Sequence, residues 1–216
     1  ELEKVSLQLK WKYQFQFAGF IAAKEKGFYK DVGLNVELKE FNNSVDIIND
    51  VINEKIEFGV SDSSLVYEGL IGKPVSAMMA IFQDSPFILM GLKSSGIKKL
   101  EDLHGEKLAL YEGIDGISIK AMLNSNSIDY KAVPPIFRID DLVNKKADIM
   151  TAYISNEPYI SKQRGIEIVT FSPKDYGFEG YGDILFTSNK LFKSNSELVE
   201  KVYEASLKGW KYAFEN

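Results

Sequence analysis

The chain has 216 residues, 45% of them hydrophobic and 26% charged, and a formal net charge of −5; that supplies core for one large domain or two small ones. Its acidic balance and scattered lysines argue against a nucleic-acid or anionic-membrane partner, because either would need a basic face. The absence of cysteine removes disulfides, thiolate nucleophiles and cysteine-held metals, and no run reaches the roughly 18 apolar residues that span a bilayer.

The first part of the chain alternates strand and helix. Residues 5–11 alternate apolar and polar side chains, as a strand does. Residues 15–26 carry Phe17, Phe20, Ile21 and Ala22 at helical spacing and stop at Gly27. Residues 34–41 form a second strand, and Ser44 is the expected cap of a helix over 45–53 whose apolar face is Val45, Ile48, Val51 and Ile52. After a short strand at 58–60, Ser61, Asp62, Ser63 and Ser64 offer caps for a helix running through Leu70 and stopped by Gly72. Residues 75–82 are nearly all apolar, which predicts a strand buried on both faces of a parallel sheet. This βαβαβαβ order is that of an α/β lobe with right-handed crossovers.

A strand at 87–92 precedes the loop-like Lys93-Ser94-Ser95-Gly96, the expected crossing into a second lobe. Further helices are predicted over 98–103, 116–124, 140–145 and 157–163. Strands are predicted over 107–111, 130–133, 149–153, 167–171 and 181–187. A long amphipathic helix over 196–214 aligns Leu198, Val202, Leu207 and Trp210. The single histidine, His104, lies near a turn and reads as a solvated residue, with a pH switch as the alternative. The expectation is a two-lobed α/β clamshell. Lobe I comprises residues 1–92 and 188–216, lobe II residues 93–187, and a small ligand sits in the cleft at the strands' carboxyl ends.

Several phrases resemble one family of proteins. They are Leu9-Lys10-Trp11-Lys12-Tyr13-Gln14-Phe15-Gln16-Phe17-Ala18-Gly19, the passage Gly27-Phe28-Tyr29-Lys30-Asp31-Val32-Gly33-Leu34, and Phe58-Gly59-Val60-Ser61-Asp62-Ser63-Ser64. Tyr111-Glu112-Gly113-Ile114-Asp115-Gly116, Tyr153-Ile154-Ser155-Asn156-Glu157-Pro158 and Ala205-Ser206-Leu207-Lys208-Gly209-Trp210 follow in order. Together they are similar to the thiamine-pyrimidine-precursor family of periplasmic solute-binding proteins, which includes members fused to sensor proteins. The resemblance implies a type II periplasmic binding fold, a small organic ligand, an extracytoplasmic location, and a role in import or in signalling. Its fungal relatives synthesise the thiamine pyrimidine with a cysteine-rich segment and an active-site histidine. This chain has no cysteine, and His104 lies far from the aromatic opening segment, so no catalytic residue is expected. No cofactor and no metal are expected either.

Strand-to-helix turns are the natural ligand contacts, because the first helical N–H groups are unpaired there and the dipole is positive. Ser61, Asp62 and Ser63 sit at such a turn, and capping alone would also explain any one of them. Trp11, Tyr13, Phe15 and Phe17 alternate in a dense aromatic stretch. Trp11 is the first choice for stacking on a planar ring and Tyr13 the second, against the alternative of a core-facing strand end. Gln14 adds a neutral amide that donates and accepts, and Phe17 completes the set. Gln83, Asp84 and Ser85 follow the strand at 75–82. In the second lobe, Glu112, Gly113 and Asp115 precede a helix, and Asn156 and Glu157 follow a strand. Tyr181 and Asp183 lie where the chain turns back. Glu157 or Asp183 could face the amine of an aminopyrimidine, while helix capping or hinge packing are their plainer roles. The chain opens at Glu1 without a signal-like segment, and its tail helix carries no stop signal before Asn216. Both fit an excised receptor domain, which favours a membrane signalling module as partner over an ABC permease.

Overall fold

The computed structural model describes residues 1–111 and 116–216. The chain divides into two compact units, one made of Glu1–Ile81 and Gly182–Asn216, the other of Phe82–Tyr181. The crossings therefore fall earlier than the expected residues 93 and 188, for reasons of strand pairing given below.

The first unit opens with β1 (Glu3–Gln8), a 3₁₀ turn at Phe15–Phe17, α1 (Ala18–Glu25), α2 (Phe28–Asp31) and β2 (Leu34–Lys39). Then come α3 (Ile47–Ile52), β3 (Phe58–Ser61), α4 (Ser64–Leu70) and β4 (Val75–Phe82). The cap of α3 is Asp46, whose carboxylate accepts from the Asn49 N–H; Ser44, the expected cap, instead bonds Asn42 in an exposed turn. One Asp46 oxygen meets the Asn49 N–H of the first turn and the other accepts from the Asn49 side-chain amide, and the helix starts there.

The second unit contains β5 (Phe87–Leu92), β6 (Lys107–Ala109), α5 (Ile117–Ser125), β7 (Lys131–Val133) and α6 (Ile139–Val143). It continues with β8 (Ile149–Tyr153), α7 (Glu157–Gln163) and β9 (Ile168–Phe171). Its sheet has the order β7-β6-β8-β5-β9. β5 lies antiparallel to both β8 and β9, while β6 is parallel to β7 and β8. Phe87 and Leu89 point into one core with Leu100, Ile119 and Met122, and Ile88 and Met90 into the other with Ile139 and Leu142. β5 is thus a doubly covered strand, which is why it reads as a continuous apolar run. Its two partners also assign it to this unit rather than to the first.

The chain then returns through β10 (Gly182–Ser188) to α8 (Asn189–Ser194) and α9 (Ser196–Glu215). The first sheet has the order β2-β1-β3-β10-β4. β1 is parallel to β2 and β3, and β10 is antiparallel to β3, with Ile184 opposite Ser61 and Thr187 opposite Phe58. β4, expected to be buried on both faces of a parallel sheet, lies at the margin and is mostly half-buried. An apolar run records what could be covered, and β10 has taken the interior position.

Alternation in β1 and β2 sends Val5, Leu7, Leu34, Val36 and Leu38 into one core, where Phe17 and Phe20 meet Leu198, Val202 and Trp210 of α9. The Tyr29 hydroxyl shares a 2.9 Å hydrogen bond with Ser206 there, and burial pushes its ionisation well above the ordinary tyrosine range. Two glycines set how closely α1 and α9 approach. A Cβ on Gly209 would lie 2.1 Å from the Gly19 carbonyl, and one on Gly19 would lie 2.1 Å from the Trp210 ring. Gly209→Ala is therefore expected to cost on the order of 2–3 kcal/mol through overpacking. Gly69→Ala in α4, whose added Cβ meets nothing nearer than 3.9 Å, is expected to gain about 0.5–1 kcal/mol from helix propensity. Urea unfolding of both variants should show midpoint shifts of opposite sign.

Candidate functional site

The carboxyl edge of the first sheet gathers three residues far apart in sequence. Lys10 follows β1, Asp62 follows β3, and Asp183 lies at the start of β10. Because β10 runs antiparallel to β3, its first residues lie beside the last residues of β3. The Lys10 ammonium stands 3.3 Å from Asp62 Oδ2 and 3.4 Å from Asp183 Oδ1. Asp62 Oδ1 also accepts from the Ser64 N–H at 2.8 Å, so one carboxylate both starts α4 and holds the lysine. Gln16 Nε2 donates to both oxygens of Asp183, at 2.8 and 3.1 Å. Gln14 Nε2 in turn donates to Gln16 Oε1 at 2.5 Å. The result is a hydrogen-bonded chain from half-buried Gln14 to fully buried Asp183.

Asp183 adopts a left-handed backbone with φ +48°. For a residue other than glycine this costs about 1 kcal/mol, although aspartate tolerates it better than most. Such a conformation persists where surrounding contacts hold it, and here Gln16 and Lys10 do so.

The aromatic opening segment separates into two fates. Trp11 and Tyr13 are 42% and 53% exposed. The Trp11 ring stacks on Phe41 at 5.9 Å and 18°, and the Tyr13 hydroxyl donates to the Leu38 carbonyl at 2.7 Å. Phe17, by contrast, is fully buried in the core, so its ring has no surface to offer a solute and its expected contact role is corrected to packing. Ser61 and Ser63 are half-buried beside Asp62.

In the second unit, Asn156 is half-buried at the start of α7. The buried Glu157 carboxylate accepts from the Tyr153 N–H at 2.7 Å and from Asn156 Nδ2 at 2.8 Å, closing its own turn. Gln83 and Asp84 are exposed, Asp84 in a 2.7 Å ion pair with Lys174, and Tyr181 is exposed. Glu112, Gly113 and Asp115 lie outside the described residues. A groove of about 510 Å³ lined by residues including Lys4, Ser6, Asn35, Glu37, Lys39 and Glu57 sits on the polar side of β1 and β2 and shares no residue with the Lys10 network.

Sequence reasoning missed Lys10, Gln16 and a row of rings. Lys10 was legible as the residue just past a parallel strand, the place where such sheets meet ligands. Apart from Phe82, the last residue of β4, the rings lie along the second sheet's carboxyl edge. Phe82 meets Tyr153 at 5.8 Å and 85°, Tyr153 meets Phe87 at 5.3 Å and 87°, and Phe87 meets Tyr111 at 5.9 Å and 88°. Tyr111 then stacks nearly parallel on Phe137, at 5.3 Å and 25°. Among the described residues no group of three or more histidine, aspartate or glutamate side chains is arranged to hold a metal ion. None of their helices is long and apolar enough to cross a membrane.

Solved structures of solute-binding proteins share this build of two α/β units. The aliphatic sulphonate binding protein SsuA of Escherichia coli superposes with a TM-score of 0.74 at 12% identity, over 97% of this chain and 73% of that one. A substrate binding protein of an ABC uptake transporter from Streptococcus pneumoniae gives 0.67 at 15% identity, over 96% and 87%. Residues 14–216 match the family model described as NMT1/THI5 like, and the chain belongs to that family. Its relatives include the formylaminopyrimidine-binding protein of Halalkalibacterium halodurans, 26% identical over all of this chain and 68% of that protein. The riboflavin-binding protein of Chloroflexus aurantiacus is 24% identical over 96% of this chain and 62% of that protein. The chain thus spans 62–68% of the length of the curated relatives it matches.

Removing the ammonium from between two buried carboxylates should be costly. Lys10→Met is expected to lose on the order of 3 kcal/mol in urea unfolding, and Asp183→Asn in the same background should recover part of that loss.

Proposed function

We propose that this chain is the ligand-holding part of an extracytoplasmic solute-binding protein for a small planar nitrogen heterocycle, such as a thiamine pyrimidine precursor, and that it performs no chemistry on it. The observation that carries the reading is the Lys10–Asp62–Asp183–Gln16 network. Buried ion clusters are poor stabilisers compared with apolar packing, so one kept at the carboxyl edge of an α/β sheet argues for recognition. An aminopyrimidine offers adjacent donors and acceptors. Asp62 would accept from its amine, with fully buried Asp183 holding Lys10 and Gln16 in place behind it, Ser61, Ser63 and Gln14 completing the polar set and Trp11 and Tyr13 covering a ring face. Asn156, Glu157, Gln83, Asp84 and Tyr181, with Glu112, Gly113 and Asp115, are the further candidates.

The names of the relatives support the same class, since formylaminopyrimidine and riboflavin are both planar nitrogen heterocycles. The absence of cysteine and the turn position of His104, whose Nδ1 accepts from the Asp129 N–H at 3.2 Å, support a binding role without catalysis. The Streptococcus pneumoniae neighbour belongs to an ABC uptake transporter, which favours an ABC permease as the partner. A membrane signalling module would use the same binding step, and only its partner would differ.

The test is a thermal-shift and calorimetric panel of formylaminopyrimidine, thiamine, riboflavin and an alkanesulfonate. A true ligand at about 100 times its dissociation constant should add roughly 2.7 kcal/mol of stability, and Trp11→Ala should reduce the response. A response to the sulfonate alone would overturn the heterocycle reading.

A further inference from the structure

The hydrogen-bonded chain from Asp183 to Gln14 has a fixed polarity. Asp183 is fully buried, with the Lys10 ammonium 3.4 Å from its carboxylate. An ionised carboxylate accepts and cannot donate, so the Gln16 amide must turn its NH2 toward Asp183, as the bonds of 2.8 and 3.1 Å show. The Gln16 carbonyl oxygen then faces the other way, and Gln14 Nε2 donates to it at 2.5 Å. A side-chain amide has one donor end and one acceptor end. With its NH2 engaged on Gln16, Gln14 carries its carbonyl oxygen Oε1 at the outer end of the chain. The charge of a buried aspartate is thus relayed through two amides to half-buried Gln14 as an oriented acceptor.

Making the turn does not account for the Gln14 side chain. Gln14 precedes the 3₁₀ turn at Phe15–Phe17, where a polar side chain ordinarily caps, yet its side chain makes no capping bond. The Phe17 N–H is met by the Gln14 backbone carbonyl instead, at 3.0 Å. Among the described residues the Gln14 side chain bonds only Gln16. Its neighbours hold it on both sides. The Tyr13 N–H donates to Glu40 Oε1 and the Tyr13 hydroxyl to the Leu38 carbonyl, both at 2.7 Å, and Phe17 is fully buried in the core. Turning the Gln14 amide over would set its oxygen against that of Gln16 and leave both unpaired. An acceptor oriented in this way loses little freedom when a donor meets it.

We infer that Gln14 is a specificity-determining residue, which presents its carbonyl oxygen to the solute and selects solutes that donate an N–H over those that only accept. This rests on the solute-binding reading above and deepens it, by giving the polar edge of the first unit a required hydrogen-bond direction. Gln16 and Asp183 are positioning residues that set this direction from behind. An exocyclic amine carries two N–H groups, one for Asp62 and one for Gln14. An ether oxygen in its place, or the sulfonate named for the structural neighbour SsuA, brings acceptors only and sets oxygen against oxygen. A site built to accept a hydrogen bond rejects the analogue that lacks the donor, because its own polar group is left unpaired.

The experiment measures calorimetric dissociation constants of 4-aminopyrimidine and 4-methoxypyrimidine, which differ only in the group at issue, for the whole chain and for Gln14→Met and Gln14→Lys. Methionine keeps the length and removes both polar ends. Lysine still donates to Gln16 Oε1, so it preserves the inner bond and puts N–H groups where the oxygen stood. The wild type should bind the amine at least about tenfold more tightly than the ether. Gln14→Met should weaken the amine roughly five- to tenfold and leave the ether within about twofold, while Gln14→Lys should weaken the amine and tighten the ether. Thermal midpoints of the unliganded variants report intact folding, and Gln14→Lys, which keeps the relay bonded, should lie close to the wild type. Equal affinity of the wild type for the two pyrimidines, a preference that both variants leave unchanged, or a parallel loss of both solutes would overturn the role of Gln14 and leave the solute-binding reading standing. Failure of the wild type to bind either pyrimidine would overturn both.

Discussion

The antiparallel pairing of β10 with β3 is the constraint on which the first unit depends. It inserts the returning chain into the interior of a sheet begun by parallel strands, and it displaces the apolar β4 to the margin. The same pairing brings Asp183 beside Asp62, because the first residue of an antiparallel strand lies next to the last residue of its neighbour. Without it Lys10 would face one carboxylate instead of two. The charge network is thus a product of topology as much as of residue choice, and the left-handed backbone of Asp183 is the local strain that this geometry accepts.

The two carboxyl edges have different chemistry. The first unit offers charge and amide groups held by one another, from Gln14 through Gln16 and Asp183 to Lys10 and Asp62. The second offers rings that lean on each other from Phe82 outward to Phe137. Polar groups discriminate by leaving a wrong partner unpaired, and flat rings discriminate by shape and quadrupole.

Much of the fold was legible from periodicity, and the reasons are local. The period-two pattern of β2 maps onto its alternating burial, and the helix at Glu157–Gln163 starts and stops where its turn signals put it. The errors in the sheets share one cause, which is that pairing partners leave no mark on a single strand. Residues 75–82 and 87–92 look alike as apolar runs, yet one is a margin and the other a doubly covered interior strand. At the site, Asp62 and Asp183 were visible as residues of turns. Lys10 had only its place after a strand to mark it, since a lone lysine there resembles any solvated lysine until two carboxylates are brought to it. Phe17 misled in the opposite direction, because exposed and buried aromatics alternate along one stretch and only the 3₁₀ turn decides which is which.

The discontinuous first unit also has a temporal meaning. Ser61 pairs with Ile184, so the sheet begun at the amino end cannot be completed until the whole second unit has been synthesised. The second unit, continuous from Phe82 to Tyr181, faces no such wait, because its strands come from one unbroken stretch. Non-local pairing is slow to form, and chains tend to fold their continuous modules as units. On the ribosome, β3 and β4 would therefore emerge with an open slot between them, and arrival of β10 would close the slot and assemble the charge network in the same event.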